Sequence, residues 1–320
     1  MKKLLLSLTL IFLLSSCMAT NRILYSLYVA SIGINYDNNE NEYSVYFFIP
    51  SSVEVGSIEG ADEKSSVAVI KGENISSAFY SLEESSTLNI NLRHISSFII
   101  HNNVFENNKI NEFIEFIKKY EEIDFNFYIY STSCNISEIY KIENPNNESV
   151  VLTPLAEPLV SSYICLAANP IHYSSFVRDY YLKKTIKIPL IENINIWNND
   201  KKSIYVKGIA IFTSDRYIAI SSNESTFFYL KSNDAFNFNN DNLSAEIHNY
   251  KVKITYSNNI KIKCRGNVNI FKGNIVDIEN CIENIIKETI DKYYEYDPLN
   301  FKYYEVYNHN IVIDLKLNEN

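Results

Sequence analysis

Glycine is scarce in this chain, with seven in 320 residues. Phosphate-cradling loops are built from closely spaced glycines, and neither G-x-x-x-x-G-K-[ST] nor G-x-G-x-x-G occurs. G-x-S-x-G and H-E-x-x-H are missing as well, which removes the common signatures of serine hydrolases and zinc peptidases. Lys and Arg form no extended run, and the net charge is −9. An acidic chain without a basic run argues against nucleic acid as a partner. It argues equally against electrostatic adsorption to an anionic membrane surface. No apolar run reaches the ~18–20 residues that a spanning helix needs. Cysteine is limited to five residues, with no C-x-x-C pair and no His at zinc spacing from one. Cys134, Cys165, Cys264 and Cys281 read as small core residues, with a disulfide as the lesser alternative.

What is present is core material. Hydrophobic residues make up 46%, with 25 Tyr and 18 Phe, a composition that favours strands. Five histidines are dispersed: His94, His101, His172, His248 and His309. His94 and His101 fall seven apart on one expected strand, so they face opposite sides and share no metal. Glu121, Glu122 and Asp124 cluster at a helix–strand junction. Paired carboxylates can do acid–base work, but a solvated helix end is the commoner reading of such a cluster. No catalytic residue, cofactor or metal is expected.

The first twenty residues are MKKLLLSLTLIFLLSSCMAT. Lys2 and Lys3 precede an apolar stretch from Leu4 to Leu14, the length of a signal peptide. Leu14-Ser15-Ser16-Cys17 follows. It resembles the lipobox of bacterial lipoproteins, in which small residues admit a peptidase and the cysteine takes a diacylglycerol. On this reading residues 1–16 are removed and Cys17 becomes the lipidated N-terminus. Both early lysines go with them, so the chain from Cys17 onward carries −11. Two acyl chains anchor stably where one is marginal, at roughly 0.8 kcal/mol per buried CH₂. They would hold an acidic chain that charge does not.

Downstream, short strands mix with amphipathic helices, so the fold class is α+β. Glu42–Ile49 and Ser66–Lys71 read as strands, and Asn74 caps a helix with Ile75, Ala78, Phe79 and Leu82 on one face. Leu92–His101 reads as a strand. Ile110, Phe113, Ile114 and Ile117 recur at helical spacing. Ile123, Phe125, Phe127 and Ile129 alternate as in a strand. Asn135 opens a short helix, and His172–Lys183 a longer one. The alternation of strands and helices implies crossovers and partly parallel pairing in this half. The polar stretch near Trp197 marks the expected boundary between residues 17–196 and 197–320, with a further division near 232–245. Beyond it, SIYVKGIAIF with YIAIS and KVKITYS with IKIKC read as antiparallel hairpins. Ser221 starts an expected helix to Leu230. GNVNIF reads as a further strand, Asp277 opens a long helix, and IVIDLKL closes the chain.

These elements, in this order and behind a lipobox, resemble the Ger(x)C family, the C subunits of spore germinant receptors. The resemblance covers nearly the whole chain after Cys17. SIGINYDNNENEYSVYFFI matches an apolar stretch with a G-I-D-like segment and the next strand. Gly72 leads into ENISSAFYSLEES, and His94 stands near the start of NLRHISSFII. FIEFIKKYEEIDFNFYIY, PLIENINI and YVKGIAIFTSDRYIAISSNES follow in family order. The Gly-Asn strand, long helix, Asp297 and closing strand complete it. Met18-Ala19-Thr20 depart from the Trp and acidic residue usual after the family's cysteine.

The resemblance implies a non-enzymatic, multi-domain lipoprotein at the outer face of the spore inner membrane. Its partners would be the membrane-embedded A-type and B-type receptor subunits, and the lipid at Cys17 its contact with the membrane. A solute-binding lipoprotein serving a transporter is the alternative. It requires a cleft between two similar lobes, and the two halves look dissimilar. A lipoprotein hydrolase is a third class, without a nucleophile–base motif to support it.

Overall fold

The computed structural model describes residues 26–50, 65–143, 149, 151–152, 155–156, 170–195, 202–213, 216–221, 236–239, 241–256, 260–297, 299–300 and 311–319. Two strands lead the fold: β1 (Ser26–Tyr28) and β2 (Ser31–Asp37). β2 turns into β3 (Glu42–Ile49) through a loop that Asp37 closes locally. Its Oδ1 accepts from Asn39 N at 2.8 Å, and Asn41 takes the left-handed conformation, φ 52°. β4 (Ser66–Gly72) pairs with β3 and leads to α1 (Ile75–Ser85). Asn74 and Ser77 form a reciprocal cap at the start of α1. β5 (Asn89–Asn91), β6 (Ser97–His101), α2 (Asn102–Glu106), α3 (Ile110–Lys119), β7 (Tyr128–Thr132) and α4 (Ile136–Tyr140) follow. Then come β8 (Ile171–His172), α5 (Tyr173–Tyr181), β9 (Ile186–Asn195), β10 (Lys202–Phe212) and β11 (Tyr217–Ser221).

Eight of these strands lie in the order β11-β10-β9-β7-β6-β2-β3-β4, and β8 adds to β7. β2, β6, β7 and β9 run parallel to one another, and the flanking strands are antiparallel. A sheet with parallel strands at its centre must be covered on both faces. Here α1, α2, α3 and α5 bury one face through residues such as Phe79, Phe105, Phe113 and Phe176. α4 buries the other through Ile136, Ile139 and Tyr140. Edge-on aromatic contacts tie the first layer together: Phe113 meets Phe98 at 5.2 Å and Phe176 at 6.2 Å between ring centres.

The second sheet runs β12 (Phe236–Asn239), β13 (Ser244–Tyr256), β14 (Ile260–Lys272) and β15 (Ile311–Glu319). The long helix α6 (Ile275–Lys292) covers one face with Ile278, Ile282, Ile286 and Ile290. Asn274, rather than Asp277, caps it, its Oδ1 accepting from Asp277 N at 2.9 Å. β14 and β15 pair in parallel across α6, a crossover inside the expected antiparallel half. IKIKC and GNVNIF form one continuous strand, because β13 runs alongside both.

The polar stretch near residue 197, expected to separate two halves, is spanned by one antiparallel pair. β9 and β10 pair from Ile186↔Phe212 to Asn195↔Lys202, with one register shift between Val206 and Gly208. β11 is held to the same body: Phe105 stacks on Tyr217 at 5.3 Å, and Tyr217 Oη donates to Asn102 Oδ1 at 2.5 Å. The change of sheet comes later, between β11 and β12. The helix expected from Ser221 to Leu230 lies outside the described residues.

α5 ends with Lys183 in the left-handed region at φ 54°. Lys183 N donates to Tyr180 O at 3.0 Å and Lys184 N to Asp179 O at 2.9 Å, the pattern that usually places glycine at this position. Lys183→Gly removes the Cβ clash of that conformation. It should stabilise the chain by about 0.5–1 kcal/mol, read as a raised urea midpoint.

Candidate functional site

The end of α5, the start of β9 and the chain following α6 enclose a cleft of about 460 Å³. Arg178, Asp179, Lys184, Thr185, Lys187 and Asn300 are among the residues that line it. Thr185 joins the two parts of the chain. Its backbone N donates to Asn300 Oδ1 at 2.6 Å, and its Oγ1 donates to Asp297 O at 2.6 Å. Asp297 and Asn300 both take left-handed backbone conformations, φ 48° and 59°. Arg178 Nε donates to Asp179 Oδ1 at 2.9 Å. Burial pushes the Lys187 ammonium down to about 8, while Asp179 and Asp297 pull the other way. The cleft thus gathers three cationic side chains and one carboxylate, Asp179, which Arg178 engages.

The depressed Lys187 pKa fixes a sign. The unfolded chain keeps this proton up to about 10.5, whereas the folded chain releases it near 8. Between those values the unfolded state binds more protons, so folding stability gained from this group rises with pH. Below 8 the folded state carries the full penalty of burying the charge. Lys187→Met should therefore stabilise the chain at pH 7, by roughly 1–3 kcal/mol, and by progressively less toward pH 10.5. Urea midpoints of both proteins across this range check it. A difference that does not change with pH contradicts it.

The second notable surface is the face of the second sheet opposite α6. β13 presents Lys251 and Lys253 there, β14 presents Lys261, Lys263 and Arg265, and β15 presents Lys316. Register places Lys251 opposite Arg265, Lys253 opposite Lys263, and Arg265 beside Lys316. Directly opposed like charges destabilise a strand pair, by up to about 1 kcal/mol. One carboxylate stands among them. Asp314 accepts from Arg265 Nη2 through both oxygens at 2.9 Å. This contact holds Asp314 below the usual carboxylate range, with Lys263 and Lys261 adding to the effect. Glu246 lies toward the other end of the face, 3.0 Å from His248. The chain thus lacks a basic run but not a basic surface.

The residues singled out in the sequence do not converge. Cys17 lies outside the described residues, as do Cys165 and His309. His94 sits before β6 rather than on it and packs against Tyr28 at 5.5 Å between ring centres. His101 caps α2, its Nδ1 accepting from Asn103 N at 3.2 Å, and burial lowers its pKa. Glu121, Glu122 and Asp124 are exposed in the turn before β7. Asp124 Oδ1 accepts from Asn126 N at 3.2 Å, a local turn contact. Cys264 is buried, whereas Cys134 and Cys281 are half-buried, and none of the three forms a disulfide. Among the described residues, no three His, Cys, Asp or Glu side chains gather closely enough to hold a metal. Among the described residues, too, no helix is long and apolar enough to cross a membrane.

The cleft escaped sequence reasoning because its walls come from residues 170–187, Ile209 and Asn300, which no local pattern links. The cationic face left a signal that a search for runs overlooks: Lys at alternate positions in KVKITYS and IKIKCRG.

The family model described as "Spore germination protein N-terminal domain" matches residues 22–193, more than half of the chain. The chain belongs to the Ger(x)C family of spore germination proteins. Within this Ger(x)C chain, the match spans β1 through most of β9. It stops short of β10 and β11, which complete the same sheet. A solved structure described as "Crystal Structure of the GerBC protein" is similar at 13% identity, covering 90% of this chain and 97% of that one, with a TM-score of 0.48. Among curated proteins none matches.

The family segment SIGINYD now has a physical reading. A Cβ built on Gly33 would fall inside the van der Waals envelope of Ile136 Cγ2, and 3.2 Å from both Tyr140 Oη and Tyr46 Cβ. α4 therefore rests directly on the β2 backbone. Beside it, Ser31 Oγ donates to Ser97 O at 3.0 Å, accepts from Ser97 Oγ at 2.9 Å and meets Tyr140 Oη at 3.0 Å. Ser31 has only one proton, so Tyr140 is the donor in the last contact.

Proposed function

We propose that this protein is a non-enzymatic, lipid-anchored subunit of a spore germinant receptor. A diacylglycerol on Cys17 holds it at the outer face of the spore inner membrane. There it contacts the membrane-embedded A-type and B-type subunits and takes part in nutrient-triggered germination. The observation that carries this reading is the family match over residues 22–193. The lipobox-like Leu14-Ser15-Ser16-Cys17 supports the anchor. Deleting the gene tests the role. Loss or slowing of germination with at least one nutrient, restored by the intact gene, is the expected result. An unchanged response to every nutrient, in a strain without a second Ger(x)C gene, would overturn it.

One observation favours a second reading, binding of a small solute: the cleft around Lys187 has the size and charge for a small anion. Its test is thermal stabilisation of the purified chain by small carboxylates or phosphates. Stabilisation that Lys187→Met abolishes would support this reading.

A further inference from the structure

We infer that the cationic face of the second sheet is a docking surface for anionic lipid headgroups. The argument starts from how the charges are placed. Lys251, Lys253, Lys261, Lys263, Arg265 and Lys316 share one face of three adjacent strands. At about 3.3 Å per residue and 4.8 Å between strands, they occupy roughly 13 by 10 Å, close to one Debye length at physiological salt. They act as one field rather than as separate charges. Arg265 is engaged by Asp314, which leaves five lysines. Among the described residues none of the five forms an ion pair on this face.

The rest of this unit has the opposite sign. On the far side of the sheet, α6 carries Asp277, Glu279, Glu283, Glu288 and Asp291 against Lys287 and Lys292. The unit is therefore polarised, with an acidic helix layer and a basic sheet layer. The polarisation stands out in a chain whose net charge is −9. Against an anionic plane, such a unit has one favoured orientation, sheet down and helix up.

The choice of residue points to lipid. Lysine is a compact, hydrated point charge that makes no directional demand on its partner. A fluid array of headgroups offers charge without fixed geometry, which is what lysines can use. Protein interface cores are enriched in Arg and aromatic residues and depleted in Lys. The one Arg here is already paired, and the central positions of the face hold no aromatic residue. Each lysine near an anionic surface adds roughly a fivefold gain in partitioning. Five together could fix the orientation of a domain already tethered by acyl chains.

The test uses the full chain carrying Cys17→Ala, so that no acyl chain contributes. Sedimentation with vesicles of phosphatidylcholine, with or without phosphatidylglycerol, reads the binding. Binding should be stronger with phosphatidylglycerol than without it, and the difference should shrink as salt rises toward about 0.15 M. Lys253→Gln/Lys263→Gln should lower the partition coefficient roughly 20-fold. Lys287→Gln/Lys292→Gln, on the acidic layer, should leave it unchanged. Any contribution from residues 1–16 is common to all variants. Because the first pair removes a cross-strand repulsion, its thermal midpoint should not fall, and this confirms folding. Equal binding to both vesicle types overturns the proposal, as does equal binding by both double variants. So does binding of a DNA oligonucleotide through the same lysines without vesicle binding. The anchor and receptor readings stand or fall separately, since they are tested by lipid labelling and by germination.

Discussion

Gly33→Val is expected to destabilise this protein by about 3 kcal/mol or more. Gly33 lies in β2, in the second row of strands from the middle of the large sheet, and its missing side chain is where α4 sits. Any Cβ there meets Ile136 Cγ2 and lies 3.2 Å from Tyr140 Oη and Tyr46 Cβ, so the two further methyls of valine add to a space already filled. Ile136 and Tyr140 are themselves buried among Phe48, Ile139 and Ile191, so neither can swing aside into solvent. Displacing α4 would also break the contact between Tyr140 and Ser31 and leave buried hydroxyls unpaired. Gain of β propensity offsets only a fraction of this. A paired substitution separates the mechanism from a general intolerance. Gly33→Ala should be costly in the native background and much less costly once Ile136→Ala has opened space beside it. Urea unfolding of the four proteins reads the coupling. Equal costs of Gly33→Ala in both backgrounds would mean that close approach of α4 is not the reason for glycine.

The second large effect concerns residue 17. Cys17→Ala should move the protein from the membrane fraction to the soluble fraction, or leave it unprocessed with its apolar stretch attached, and it should abolish labelling by a lipid precursor. The expectation follows from what else could hold the chain. The apolar stretch Leu4–Leu14 is too short to span a bilayer. The cationic face of the second sheet gives reversible attachment that fades with salt. A diacylglycerol is the contribution that persists in high salt. A salt wash therefore separates the two. Native protein should stay with membranes through it, and Cys17→Ala protein freed of residues 1–16 should not. Lipid labelling that survives in Cys17→Ala would place the anchor elsewhere.

Much of the fold was legible because its signals are local. The apolar spacing of Ile110, Phe113, Ile114 and Ile117 describes α3, and all four residues are buried. Asn74 marks the start of α1, and alternation describes the hairpins β10–β11 and β13–β14. The misreadings occurred where a partner decides the outcome. Ile123 to Phe127 alternates like a strand, yet the strand begins at Tyr128, because the neighbouring β6 starts only at Ser97. Phe125 is half exposed and leans on Tyr173 instead. His94 missed its strand for the same reason. The polar residues after Asn195 look like a linker but join two paired strands. The cleft and the cationic face are assembled by pairing and packing, so neither exists in any short window. Lys251 and Lys316 meet on one surface through Arg265, although they stand 65 positions apart in the chain.

The most direct test of the receptor reading is to isolate the full-length native chain from dormant spore membranes in mild detergent and identify what comes with it. A subunit of a germinant receptor should bring with it a multi-spanning, transporter-like protein and a second membrane protein, in constant ratio, through a high-salt wash. Recovery of the lipidated chain alone, or with soluble proteins only, from membranes in which those two subunits are present and intact, would contradict it.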